Sequence, residues 1–126
     1  MRMSAALRRF RRARSGAAAV ELALVMPAFI TMMVGGVYIG QMLFAANSMH
    51  YAVEVAARCA AVKTTVCSDS QSTTTYAQNH YAGPVTPSFS YSATGCGHVV
   101  SATASYAVNY GLGSVTVPLS ASSCYP

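Results

Sequence analysis

Gly16-Ala17-Ala18-Ala19-Val20-Glu21 decides how this chain is read. Before it lies an arginine-rich stretch, and after it an apolar run reaching Ala46, AAAVELALVMPAFITMMVGGVYIGQMLFAA. A glutamate just inside a run of that kind is costly, because a charged side chain deep in a bilayer carries a penalty of about 2.5–3.5 kcal/mol even on lenient scales. Such a residue has a task or a partner. Glycine five positions earlier marks a change from basic to apolar chain.

Charge sharpens that boundary. The net charge of +5 over 126 residues is carried by the start of the chain, since Arg2, Arg8, Arg9, Arg11, Arg12 and Arg14 all precede Gly16. Beyond it stand only Arg58 and Lys63 against Glu21, Glu54 and Asp69, a net charge of −1. A nucleic-acid partner needs a basic surface on the folded domain, and the basic charge here sits on a terminal tail, so no nucleic acid is expected. Lysine and arginine gather on the cytoplasmic side of membrane segments. The tail therefore predicts an N-terminus inside and a C-terminus outside the inner membrane. Residues 17–46 exceed the roughly 20 needed to span a bilayer and are too long for a secretory h-region. That length also argues against reading Arg8-Arg9 or Arg11-Arg12 as a twin-arginine signal. Pro27 kinks or loosens one turn. Gly35, Gly36 and Gly40 either permit close approach of another helix or add local flexibility.

Residues 47–63 read as a continuation of the helix beyond the membrane. They hold no proline or glycine, Met49, Ala52, Val53, Ala56, Ala60 and Val62 lie near helical spacing, and Glu54 and Arg58 form an exposed i,i+4 pair worth about 0.2–0.5 kcal/mol. A helix over 17–63 would be about 70 Å long at 1.5 Å per residue, more than a small globular domain needs and suited to a filament subunit. Residues 64–126 form the C-terminal region. A short helix is predicted around Thr74–Ala82, capped by Ser72 or Thr73 and stopped at Gly83-Pro84. Strands follow at Ser88–Ala93, Val99–Asn109 and Ser114–Ala121, turning at Gly95-Cys96-Gly97 and Gly111-Leu112-Gly113, with Pro118 at an edge or irregularity. The fold class is α+β: a long helix packed by a three-stranded antiparallel sheet. The chain has no internal repeats.

Cys59, Cys67, Cys96 and Cys124 are an even set on the oxidising side, which favours two disulfides among three possible connectivities. Two local staples, Cys59–Cys67 and Cys96–Cys124, are the expected pairs. A metal site of Cys59, Cys67, Cys96 and His98 is the rival, and its cysteine spacing departs from the usual pattern; no metal and no cofactor are expected. His50, His80 and His98 lie in no nucleophile motif, and Asp69 is the only acid after Glu54. A Ser-His-Asp constellation forms in space, but with so few ionisable residues the chain reads as no enzyme. Tyr76, Tyr81, Tyr91, Tyr106, Tyr110 and Tyr125 read as half-buried packing residues.

RRARSGAAAVELALVMPAFI, residues 11–30, resembles the N-terminus of the TadE family of pseudopilins, minor pilin-like proteins of tight-adherence (Flp, type IVc) pili. The similarity covers Arg8 to about Lys63, including AVEVAARCAA, and continues weakly through CGHVVSATASYAVNY and VTVPLSASSCYP. A basic leader ending in glycine, small residues, Val-Glu and a proline six residues after the glutamate carry it; Leu22 departs, standing where many such sequences have Phe or Tyr. The resemblance implies a type IV pilin-like fold and a leader, residues 1–16, that a prepilin peptidase removes between Gly16 and Ala17. Glycine before the scissile bond lets a protease approach the backbone closely. It further implies that Glu21 faces the amine of Ala17 on a neighbouring subunit, and that the partners are other pilin or pseudopilin subunits. The subunit would leave the inner membrane for a pilus serving surface attachment. The competing expectation is an uncleaved single-pass envelope protein with a periplasmic binding domain.

Overall fold

Alanine sets how closely this protein packs. Ala45, Met49, Ala52, Val53, Ala56, Ala57 and Ala60 recur every three or four residues and are all buried, the spacing of one helix face. The computed structural model describes residues 15–126, and in it these side chains belong to helix α1, Ser15–Val62. The basic leader, apart from its last two residues, lies outside the described residues. Two units share α1: one runs to Val37 and the other is Tyr38–Pro126.

In the first unit every apolar side chain from Ala17 to Val37 is exposed. This is the part of one helix long and apolar enough to cross a membrane. Pro27 lies within it; lacking an N–H, it leaves the Ala23 carbonyl without its helical donor. The Thr31 hydroxyl donates to the Ala28 carbonyl at 2.8 Å, so this polar group needs no outside partner.

The second unit follows α1 with helix α2, Ser70–His80, and strands β1, Ser88–Thr94, β2, Gly97–Asn109, and β3, Ser114–Tyr125. The sheet is antiparallel in the order β1-β2-β3. Along β2 the side chains of Val100, Ala102 and Tyr106 are buried, while those between them are more exposed, the two-residue period of a strand with one covered face. Across the ladder Phe89, Ala102 and Ala121 form one row, and Tyr91, Val100 and Ser123 the next. Met49, Val53, Ala56 and Ala57 of α1 meet Val100, Ala102 and Ala121, with Ala77 of α2 completing the core. Pro118 stands in β3 opposite Ser105, and β3 is an edge strand, where a missing N–H is tolerated.

The α+β class, the long apolar helix, the three-stranded antiparallel sheet and the two disulfides are all present. Several local expectations differ. α1 starts at Ser15, so Gly16 lies inside the helix. Val62 is 62% exposed and leaves the core stripe, because two residues past Ala60 it turns off the buried helix face. α2 starts earlier than Thr74 because Asp69 caps it: the Ser72 N–H donates to the Asp69 carboxylate at 2.7 Å, and the Asp69 N–H donates to the Ser72 hydroxyl at 3.1 Å. This is a capping box with serine in the return position. β3 runs on to Tyr125 because its last residues keep pairing with the start of β2, Val99 opposite Cys124 and His98 opposite Tyr125. Among the tyrosines, Tyr106 is buried, while Tyr110 and Tyr125 are exposed.

Candidate functional site

Ala17 and Glu21 stand four residues apart on α1, and that spacing puts both on one helix face. Gly16, one residue before Ala17, has open space around the position a Cβ would take. Glu21 is exposed, as are Val20, Leu22 and Leu24 around it. The chain by itself therefore holds an acid on an apolar helical surface that none of its own described residues cover. Gly35, Gly36 and Gly40 likewise have nothing within 4 Å of a built Cβ.

The cysteines come together as two pairs. Cys59 joins Cys67, tying the last turns of α1 to the loop before α2. Both are buried with Ala60 against Tyr76 and Tyr91. Cys96 joins Cys124, tying the β1–β2 turn to the end of β3. All four sulfurs are so engaged, and among the described residues no three His, Cys, Asp or Glu side chains group as metal ligands. Each native disulfide of a small extracytoplasmic domain stabilises it by about 2–5 kcal/mol.

The histidines are held apart. His50 is exposed on α1. His80 stacks on Tyr76 with ring centroids 4.2 Å apart, its Nδ1 2.9 Å from the Tyr76 carbonyl. His98 Nδ1 lies 2.7 Å from the Tyr91 hydroxyl. Asp69 is spent on the α2 cap, where the Ser72 backbone N–H, then the Ser72 hydroxyl, hold its carboxyl below the usual aspartate value. Grooves of about 660, 510 and 290 Å³ mark the second unit, and no histidine or carboxylate lines them. Tyr81 is the one orphaned group among the described side chains: its hydroxyl is buried without a partner. Burial raises its pKa, against the Val85 backbone, which completes no hydrogen bond.

Two long-range hydrogen bonds were absent from the sequence reading. The Tyr106 hydroxyl donates to Gln41 Oε1 at 2.8 Å, and the Tyr38 hydroxyl to the Asn109 carbonyl at 3.4 Å. They secure the start of the second unit's helix to β2. Tyr38 and Gln41 interrupt the apolar run three residues apart, which places them on one face; that pairing was the available signal.

Residues 16–58 match the family model described as TadE-like protein, and this stretch of the chain is similar to that family. No curated protein matches the chain, and no solved structure does.

Proposed function

We propose that this chain, TadE-like over residues 16–58, is a minor pilin or pseudopilin of a tight-adherence (Flp) pilus. It is made with residues 1–16 as a cytoplasmic leader and inserted in the inner membrane with its C-terminal unit outside. A prepilin peptidase cuts it between Gly16 and Ala17, and it then enters or initiates the pilus that attaches the cell to a surface. The observation that carries this reading is where the family match begins: at Gly16, the residue before the proposed cut.

The physics supports the order of events. The leader's arginines hold the N-terminus inside, and cutting after Gly16 removes most of the chain's basic charge. The cut also creates an ammonium on Ala17. Glu21, the only charged residue between Gly16 and Glu54, is penalised while it faces hydrocarbon, and pairing with an ammonium relieves that penalty. A neighbour's Ala17 amine seated on Glu21 fixes the axial register of two helices. The exposed side chains of Val20 to Val37 then exchange lipid for other subunits. The region beyond residue 46 stays outside the membrane throughout, and its disulfides suit that compartment.

Glu21→Val tests the docking step. The variant is expected to insert and be cut like the parent and to be lost from filaments recovered by shearing. Incorporation at the parental level would overturn the role given to Glu21.

A further inference from the structure

In the second unit one face of α1 is left over from the core. Phe44, Asn47, Tyr51, Glu54 and Arg58 recur every three or four residues and are all exposed. They lie on the side of the helix opposite Met49, Val53, Ala56 and Ala60. Their spacing is the repeat with which one helix meets another. Beside the later end of this stripe lies a groove of about 290 Å³, lined by Val55, Arg58, Cys59, Val62, Lys63 and Tyr76.

The walls of the groove are fixed. The Cys59–Cys67 disulfide ties the end of α1 to the loop before α2. Lys63 is held from both sides: its N–H donates to the Cys59 carbonyl at 2.7 Å, and its carbonyl accepts from the Val66 and Cys67 N–H groups at 2.9 and 3.0 Å. Tyr76, stacked on His80, forms the α2 side.

Charge selects the occupant. Arg58 and Lys63 are the only lysine or arginine side chains beyond Gly16, and both line this groove, where no carboxylate joins them. An acid complements it. The chain has three acidic side chains. Glu21 lies in the apolar segment and Asp69 is spent on the α2 cap, which leaves Glu54. An exposed pair between Glu54 and Arg58 of its own helix is weak and is readily exchanged for a partner in another copy.

Orientation then sets the stagger. Copies anchored in one membrane by α1 point the same way. In register, two such helices would set Glu54 against Glu54 and Arg58 against Arg58, like charges that repel. A displacement of four residues, about 6 Å along the axis, brings Glu54 of one copy level with Arg58 of the next. Different residues then meet on the two sides, and a contact of that kind with an axial step repeats without closing and extends into a filament.

We infer that this face of α1 docks on α1 of a second copy displaced by one turn, with Glu54 seated in the Arg58–Lys63 groove. This rests on the anchored, assembling subunit proposed above, and it adds an ionic contact outside the membrane to the one proposed at Glu21.

Charge reversal with mixing tests it. Full chains labelled at the C-terminus with donor or acceptor dye would be reconstituted together in phosphatidylcholine vesicles, and energy transfer read at low ionic strength. One variant carries Glu54→Arg, the other Arg58→Glu with Lys63→Glu. All three positions are exposed, and near-ultraviolet circular dichroism checks that each variant keeps the fold. Transfer is expected in the parent, to fall about tenfold in either variant alone, and to return to the parental level when the two variants are mixed. Mixing repairs no fault within either chain, so restoration assigns the pairing to different copies. Absent transfer in the parent, parental transfer in both variants alone, or a mixture as low as its components overturns the docking. Transfer kept by Glu54→Arg and lost by the groove variant means that the groove takes a different acid, and transfer kept by the groove variant alone means that Glu54 seats elsewhere; each overturns it as well. Flotation of the same vesicles reads the premise separately. A parent chain that does not float overturns the anchored reading and the contact with it, whereas any of those failures in a chain that floats overturns the contact alone.

Discussion

Met49→Ala should destabilise the second unit by about 3–4 kcal/mol. Met49 is fully buried on α1, and with Val53, Val100 and Thr73 it is among the largest side chains so placed. The substitution removes three methylene-sized groups, about 2.4 kcal/mol of transfer free energy. A cavity term adds to this where the surroundings cannot collapse. Here collapse is limited: the core cluster it belongs to holds Ala56, Ala57, Ala77, Ala102 and Ala121 beside Val53 and Val100, mostly side chains without atoms to swing into the space. Against a total of about 5–15 kcal/mol for a typical domain, that loss is large. Urea unfolding of the full chain in detergent micelles, followed by near-ultraviolet circular dichroism, isolates this unit because every tyrosine of the chain lies at or beyond Tyr38. The midpoint should fall by about 1–4 M urea. Val62→Ala, at an exposed position, should change stability by less than about 0.5 kcal/mol. Equal effects of the two substitutions would refute the placement of α1 against the sheet.

Loop length ranks the two disulfides. Chain entropy gives about 2.5 kcal/mol for closing the short Cys59–Cys67 loop and about 3.6 kcal/mol for the longer Cys96–Cys124 loop, so denaturation of the paired Cys→Ala variants should show the larger loss for Cys96 and Cys124. Gly83→Ala puts a methyl where the Tyr81 ring and hydroxyl lie; about 1–3 kcal/mol of overpacking is expected in thermal melts, and parental melting would count against that packing. The Asp69 carboxyl is held low by Ser72, so its contribution is present above about pH 3.8 and fades as pH falls through its lowered folded value. Asp69→Asn keeps the cap and should flatten that acid limb in a circular dichroism titration. Tyr81 has the opposite sense: burial raises its folded value, so stability holds below about pH 10 and declines as pH rises through that raised value, which ultraviolet absorbance titration would detect as one late phenol.

Much of the architecture was legible because it rests on local periodicity. The apolar run after Gly16, the alanine spacing from Met49 to Ala60 and the glycine-marked hairpins each specify an element within a few neighbouring residues. The Asp69 cap was legible in principle, but the return group is Ser72 rather than the usual glutamate or glutamine, and the polar stretch around it gave no periodic helix to anchor the reading. The contacts of Tyr38 with Asn109 and Gln41 with Tyr106 span 71 and 65 residues, and no local pattern encodes which strand end returns to which helical turn. Buried Tyr106 lies in β2 with its hydroxyl on Gln41 of α1, while exposed Tyr110, four residues on, lies in the turn after the strand. Glu21 is the reverse case. Its motif was plain in the sequence, while the isolated chain shows an exposed acid, because the partner proposed for it is another molecule.

Cleavage after Gly16 is the premise of the docking role, and intact mass measures it directly. The full chain would be expressed alone and together with a prepilin peptidase, then weighed by mass spectrometry. The account predicts loss of residues 1–16 with the peptidase and a new N-terminus at Ala17, with the leader retained in its absence. A chain that keeps residues 1–16 in both cases would contradict it.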